Sequence, residues 1–169
     1  LWERQPELQR MVIKLNEGFS GEGNAILDLK PIANTAPSER LKAIADRLPN
    51  LRFQSMGETW ENFSSRIPEL GAIAEAFIEG KEKQSPSVQG RIVPSGDVEI
   101  LSTHDQILGG PDGQIFLGCR FPADESYRIA LQELGWKVGQ NLAAKGALER
   151  FGVDFVAVRK SDGKWDIQA

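Results

Sequence analysis

One cysteine and one histidine, Cys119 and His104, occur in the 169 residues. That excludes a disulfide framework and a zinc site built from several Cys and His side chains. A Cys–His nucleophile pair would need these two residues to meet, and Cys119 lies in an apolar strand pattern that reads as core. A basic excess is also missing. Lys and Arg number 20 against 24 Asp and Glu, a net charge of −4. This argues against nucleic acid on a broad basic face and leaves room only for a local phosphate pocket. No run approaches the roughly 20 apolar residues of a membrane span. No charged start precedes an apolar stretch, so neither a membrane helix nor a signal peptide is expected, and the expected location is the cytoplasm. The chain starts on Leu1 and stops within an alternating strand pattern ending at Ala169, so both ends are expected to be internal to a longer protein.

What is present suits a packed α+β protein, with 40% hydrophobic and 26% charged residues. Residues 10–15 read as a strand, 18–24 as a glycine loop and 25–29 as a second strand. A helix is predicted from near Ser38, with Leu41, Ile44, Ala45 and Leu48 as one apolar stripe, stopped by Pro49-Asn50. A strand at 51–55 precedes a helix with Thr59 as N-cap and Trp60, Phe63 and Ile67 on one face, which Pro68 should end or kink. A strand at 72–78 completes a β-β-α-β-α-β unit. The polar stretch 79–85 reads as a hinge. Strands at 88–93, 98–107 and 114–121 form a meander with turns at 94–97 and 109–113. A long helix follows over 124–145, with Tyr127, Leu131, Leu134, Val138 and Leu142 facing the core and Gly146 capping it. A hairpin of 151–159 with 164–169 closes the chain. The division is thus a lobe at 1–80 and a second at 81–169.

Three patterns carry chemistry. Gly18, Gly21 and Gly23 offer bare backbone N–H groups that can approach phosphate oxygens, and Lys14 on the feeding strand can neutralise them. No Gly-Lys-Ser/Thr closes the loop and no helix follows, so it is neither a Walker loop nor a dinucleotide fingerprint; an ordinary hairpin turn stays open. The strand through Glu75, Phe77 and Ile78 can offer its backbone to an adenine edge between apolar side chains, or be plain core. Asp154 is a carboxylate in an otherwise apolar strand, which requires a metal or a salt-bridge partner.

The stretches MVIKLNEGFSGEGNAILDL, GAIAEAFIEG, SPSVQGRIVPSGDVEILSTHDQILGG, GCRFP and RFGVDFVAV together resemble an ATP-grasp domain, of the peptide-ligase-like group related to the pheganomycin ligase. The resemblance runs over about residues 8–169. It implies an α+β fold of two lobes with a nucleotide cleft between them, and ATP and Mg²⁺ as cofactors. By position, Lys14 matches the strand lysine on the nucleotide phosphates, and Gly18, Ser20, Gly21 and Gly23 match the phosphate-covering loop. Glu75, Phe77 and Ile78 match the adenine hinge. Glu82 matches the ribose-binding acid, within a stretch longer than in many members, and Asp154 the first Mg²⁺ carboxylate. The second metal pair, a Glu-x-Asn, should lie just beyond Ala169, so the second lobe is expected to be truncated. Arg91, His104, Gln106 and Arg120 lie on the meander strands that would floor the cleft. Arg suits a carboxylate or acyl phosphate because its fork binds two oxygens; solvated strand-edge charges, and a structural hydrogen bond for His104, stay open. The implied activity joins a small carboxylate to an amine through an acyl phosphate. A non-catalytic nucleotide-binding scaffold and a kinase-like phosphotransferase are the alternatives.

Overall fold

A computed structural model describes residues 1–19 and 22–169, with the side chains of Phe19 and Glu22 left aside. It resolves into two compact units, Leu1–Ile78 with Gly109–Phe116, and Glu79–Leu108 with Leu117–Ala169. The second unit thus begins at residue 79, and the turn at 109–116, although late in the chain, clusters with the first.

The first unit is built on a four-stranded sheet. Strand β1, Arg10–Phe19, is central and pairs antiparallel with β2, Glu22–Asp28, and with β4, Ala72–Ala76; β3, Arg52–Phe53, borders β2. The expected glycine loop is shorter than the sequence pattern: Gly18 lies within β1 and Gly23 within β2, because the ladder irregularity between Lys14 and Phe19 lets pairing resume at Phe19↔Glu22. Gly23 has φ +83°, a left-handed conformation that side chains disfavour. Ser20 and Gly21 lie outside the described residues. Met11 and Leu15 point to one face, where they pack with Ala25, Leu27, Leu29, Leu51, Trp2 and the fully buried Phe63. Phe63 comes from helix α2, Trp60–Leu70, whose Thr59 Oγ1 accepts the Asn62 N–H at 3.3 Å as the N-cap. Helix α2 runs through Pro68 rather than stopping there, since a proline in the last turn forfeits few helical bonds, and it ends at Gly71 (φ +74°). Helix α1 is Arg40–Arg47. Its expected apolar stripe is partly wrong: Ile44 packs on the core but Leu41 is 81% exposed, as an eight-residue helix turns only part of its surface inward.

The second unit has two sheets and a helix. Strands β6, Pro86–Ile92, β7, Val98–Gly109, β8, Ile115–Arg120, and β9, Glu149–Asp154, form an antiparallel sheet in the order β8-β7-β6-β9. A smaller sheet has the order β11-β10-β5, from β5, Lys83–Gln84, β10, Val156–Arg159, and β11, Trp165–Gln168. The 79–85 hinge therefore contains a short strand. Helix α3, Arg128–Ala144, packs on β6 and buries Leu131 together with Val88, Tyr127, Ala123 and Phe155. Its predicted first turn is instead a turn built on Asp124, whose backbone oxygen accepts the Arg128 N–H at 3.0 Å. Gly135 and Gly139 lie against the sheet: a Cβ at Gly135 would stand 2.6 Å from Val88 Cγ1, and one at Gly139 2.6 Å from Val98 Cγ1. Gly146, at φ +84°, caps the helix as its position predicts. Cys119 is exposed, not core, because β8 is an edge strand and its alternation turns the thiol outward.

Candidate nucleotide and ligation site

In the first unit, the β1 face opposite the helix core carries Val12 and Lys14. Val12 pairs with Ile26 on one side and Glu75 on the other, and Lys14 pairs with Ile73. Lys14 and Glu75 are therefore diagonal neighbours on one face, and their side chains form an ion pair. Val12, Ile26 and Phe77 make a small buried apolar cluster beside them, and Arg10 stacks 3.9 Å from the centre of the Phe77 ring. The sheet thus presents two cations, Lys14 and Arg10, one carboxylate and an apolar patch together. Ile78 follows directly after Phe77 and is half-buried.

In the second unit, Ser87 on β6 stands opposite both His104 on β7 and Asp154 on β9, so the three share a row across the sheet. Gln106 lies two residues beyond His104 on the same face, and its Nε2 donates to Asp154 Oδ1 at 2.9 Å. Asp154 is exposed, contrary to the burial that its apolar neighbours imply; Phe155 takes the core side and Asp154 the opposite face of an edge strand. A cavity of about 330 Å³ opens beside Gln106 and is lined by Glu82, Arg120, Asp124, Tyr127 and Trp165 among others. Glu82 receives the Arg159 guanidinium at 3.2 Å. Arg91, by contrast, is paired with Glu99 at 2.7 Å and lies roughly 17 Å along β6 from the Gln106 end. The half-buried His104 ring packs against Phe121, with centroids 5.5 Å apart.

One wall of the cavity is a polar network absent from the sequence reading. Asp105 accepts the Tyr127 hydroxyl at 2.6 Å and the Asp124 N–H at 2.8 Å. Asp124 accepts the Ser126 hydroxyl at 2.6 Å, and Trp165 Nε1 donates to Ser126 Oγ at 3.0 Å. The Ser126 hydroxyl, then its backbone N–H, hold the Asp124 carboxyl below the usual carboxylate range. Burial, reinforced by the hydrogen bond to Asp105, pushes the Tyr127 phenol above its ordinary value. Its raised pKa favours the native state fully below about pH 10, and that contribution is lost as pH rises through the folded pKa. Denaturation midpoints measured at neutral and strongly alkaline pH are therefore expected to fall less for Tyr127→Phe than for the unsubstituted protein. The sequence held one signal for this network, the Asp-x-Ser turn at 124–126.

Asp154 fits a hard divalent cation. It is an exposed carboxylate with one oxygen taken by Gln106, and Mg²⁺ usually takes one or two carboxylates with phosphates and waters completing its shell. Among the described residues no group of three His, Cys, Asp or Glu side chains gathers as a metal cluster.

Residues 34–166 match the family model described as IQCH-like, ATP-grasp. The chain belongs to the IQCH-like ATP-grasp family. Within curated proteins, this ATP-grasp chain is 43% identical over 96 residues to an L-propargylglycine–L-glutamate ligase of Streptantibioticus cattleyicolor, covering 57% of the chain and 19% of the relative. It is 26% identical over 185 residues to IQ motif-containing protein H of Danio rerio, covering 92% of the chain and 17% of the relative. The chain spans about a fifth of the length of these curated relatives. Its fold is that of solved ATP-grasp proteins. An N5-carboxyaminoimidazole synthetase from Staphylococcus aureus, complexed with ADP, aligns with TM-score 0.55 and 11% identity over 94% of the chain and 33% of that protein. Biotin carboxylase of Campylobacter jejuni aligns with TM-score 0.56 and 16% identity over 93% of the chain and 30% of that protein. No helix among the described residues is long and apolar enough to cross a membrane.

Proposed function

We propose that this ATP-grasp chain is the nucleotide-binding part of an ATP-dependent carboxylate–amine ligase. The observation that carries the reading is the 43% identity over 96 residues to a relative named as a ligase of two amino acids. The chemistry of the residues supports it. Lys14 neutralises the nucleotide phosphates, and the glycine-rich stretch with Gly18, Ser20, Gly21 and Gly23 covers them. Glu75 and the backbone at Phe77 and Ile78 hold the adenine, and Glu82 the ribose. Asp154 holds Mg²⁺, which when bound offsets phosphate charge. Gln106 fixes the Asp154 carboxylate, and Arg120, with His104 on the neighbouring strand, faces the reacting carboxylate. Arg91 has no part in this reading, since it lies roughly 17 Å along β6 from the Gln106 end.

In the reaction, a substrate carboxylate oxygen attacks the γ-phosphorus and ADP leaves. The amine nitrogen then attacks the acyl carbon of the mixed anhydride, phosphate leaves, and the nitrogen gives its proton to water. Arg120 can bind two oxygens of the acyl phosphate at once, and the protein's work is alignment and charge neutralisation. The substrates are a small carboxylate and a small amine. ATP supply and an unpaired exposed thiol both suit the cytoplasm.

The full-length protein, given ATP, Mg²⁺ and amino-acid pairs, is expected to yield ADP, phosphate and an amide of matching mass. Asp154→Asn is expected to lower turnover at least about tenfold, through one lost charge-assisted ligand. ADP without amide in every pairing tried would sink the ligase reading, and full activity of Asp154→Asn would remove Asp154 as the metal ligand. The match to IQ motif-containing protein H over 92% of the chain favours a second reading, a nucleotide-binding module without ligation. ATP binding with no turnover would support it, and a phosphorylated product without amide would mark a phosphotransferase.

A further inference from the structure

The turn that joins β7 to β8, Gly110-Pro111-Asp112-Gly113, has the sequence of an ordinary solvent turn: Pro at the second position and Gly, at φ +64°, at the fourth. In such a turn the Asp side chain needs no tertiary partner. Here the Asp112 side chain is only 5% exposed and is gripped from several directions. Arg52 of β3 binds it with both Nε, at 2.7 Å, and its second nitrogen. Arg10 of β1 approaches to 3.7 Å. Gln54, 1% exposed, donates from Nε2 to Asp112 Oδ2 at 2.8 Å and accepts the Asp112 N–H on Oε1 at 3.1 Å. One buried amide thus holds both the backbone and the carboxylate of the same turn residue. The charges are complementary: two guanidiniums share one carboxylate, so removing the carboxylate leaves like charges facing each other.

The strands that leave this turn carry groups of the proposed site. β7 runs back about 10 Å to Gln106, and β8 runs forward to Arg120. The tip at 109–116 belongs to the first unit and the stems at 98–108 and 117–120 to the second. We propose that Asp112 is a latch that fixes the β7–β8 hairpin, and through it a positioning residue for Gln106 and Arg120. The positional part rests on the ligase reading above; the mechanical part does not.

The test uses the full-length protein with Asp112→Asn, Arg52→Gln and the double substitution. Arg52→Gln is the safer variant, because the Arg52 side chain is half exposed and Asp112 keeps Arg10 and Gln54. Amide hydrogen exchange at 105–108 and 117–120 is expected to quicken roughly tenfold in each single variant, the size of coupling within one charge network, with little further change in the double variant. Exchange in β10 should stay as it was. Turnover should fall by a similar factor while the KM for ATP moves less than about twofold. Unchanged exchange in the stems overturns the latch, and so does an equal acceleration in β10, which would mean general loss of stability. Quickened stems with unchanged turnover overturn the positioning role. If the unsubstituted protein makes no amide, the ligase reading falls, and stem exchange still decides the latch.

Discussion

Lys14→Ala in the full-length protein is expected to weaken MgATP binding by roughly ten- to a hundredfold, the range of one charge-assisted hydrogen bond. The lysine is placed by the backbone and not by its own packing, because β1 is paired on both sides, to Asn24 of β2 and to Ile73 of β4. Its side chain, 34% exposed, is engaged by the half-exposed Glu75 carboxylate. Such a pair contributes about 0–1 kcal/mol to stability, so the variant should melt close to the unsubstituted protein. Calorimetric titration with MgATP and a thermal melt on the same samples separate the two effects. An unaltered affinity would remove Lys14 from the site, and a large drop in melting temperature would show that its packing had been misjudged.

Phe63→Ala should cost about 3–5 kcal/mol of stability in the first unit, the usual range for a large-to-small aromatic truncation in a core. Phe63 is fully buried, the only buried residue of α2, and its ring lies 5.3 Å from that of Phe53 and 6.4 Å from that of Trp60. It joins α2 to the β1–β2 sheet, and Met11, Leu15, Ala25 and Leu27 form the other side of the same cluster. Denaturant unfolding followed at Trp60 would show the midpoint fall. Trp165, in the second unit, serves as a control that should shift much less; equal shifts at both would mean that the two units unfold as one.

The parts of the molecule that repeat locally were legible from the residues. The Thr59 cap, the apolar face of α2, the core positions Tyr127, Leu131 and Leu134, and the Gly146 stop all depend on periodicity and turn chemistry that a linear pattern carries. The ATP-grasp resemblance was legible as well, since long matched stretches hold more information than any one motif. Failures came where a partner distant in sequence decides the outcome. Leu41 fits a helical stripe, yet α1 buries too little surface to cover it. Cys119 and Asp154 sit in apolar runs, but edge strands leave one face open and alternation sends each outward. Asp112 looks like any turn aspartate until Arg52 and Gln54, far away in sequence, are brought to it. The Asp105–Tyr127–Asp124 network likewise joins a strand to a helix start that no local rule connects.

The two glycines of α3 bear on the order in which the second unit assembles. Each lowers intrinsic helix stability by about 1 kcal/mol relative to alanine, and helices in proteins draw most of their stability from tertiary packing of one face rather than from propensity. A peptide of residues 128–144 is therefore expected to show little helical circular dichroism. The glycines remove the side chains that would hold α3 off Val88 and Val98, so the helix gains its stability only when those strands are already in place. Folding of this unit should thus run from the β6–β7 hairpin to the helix, with α3 a late element, condensing on a template instead of serving as one.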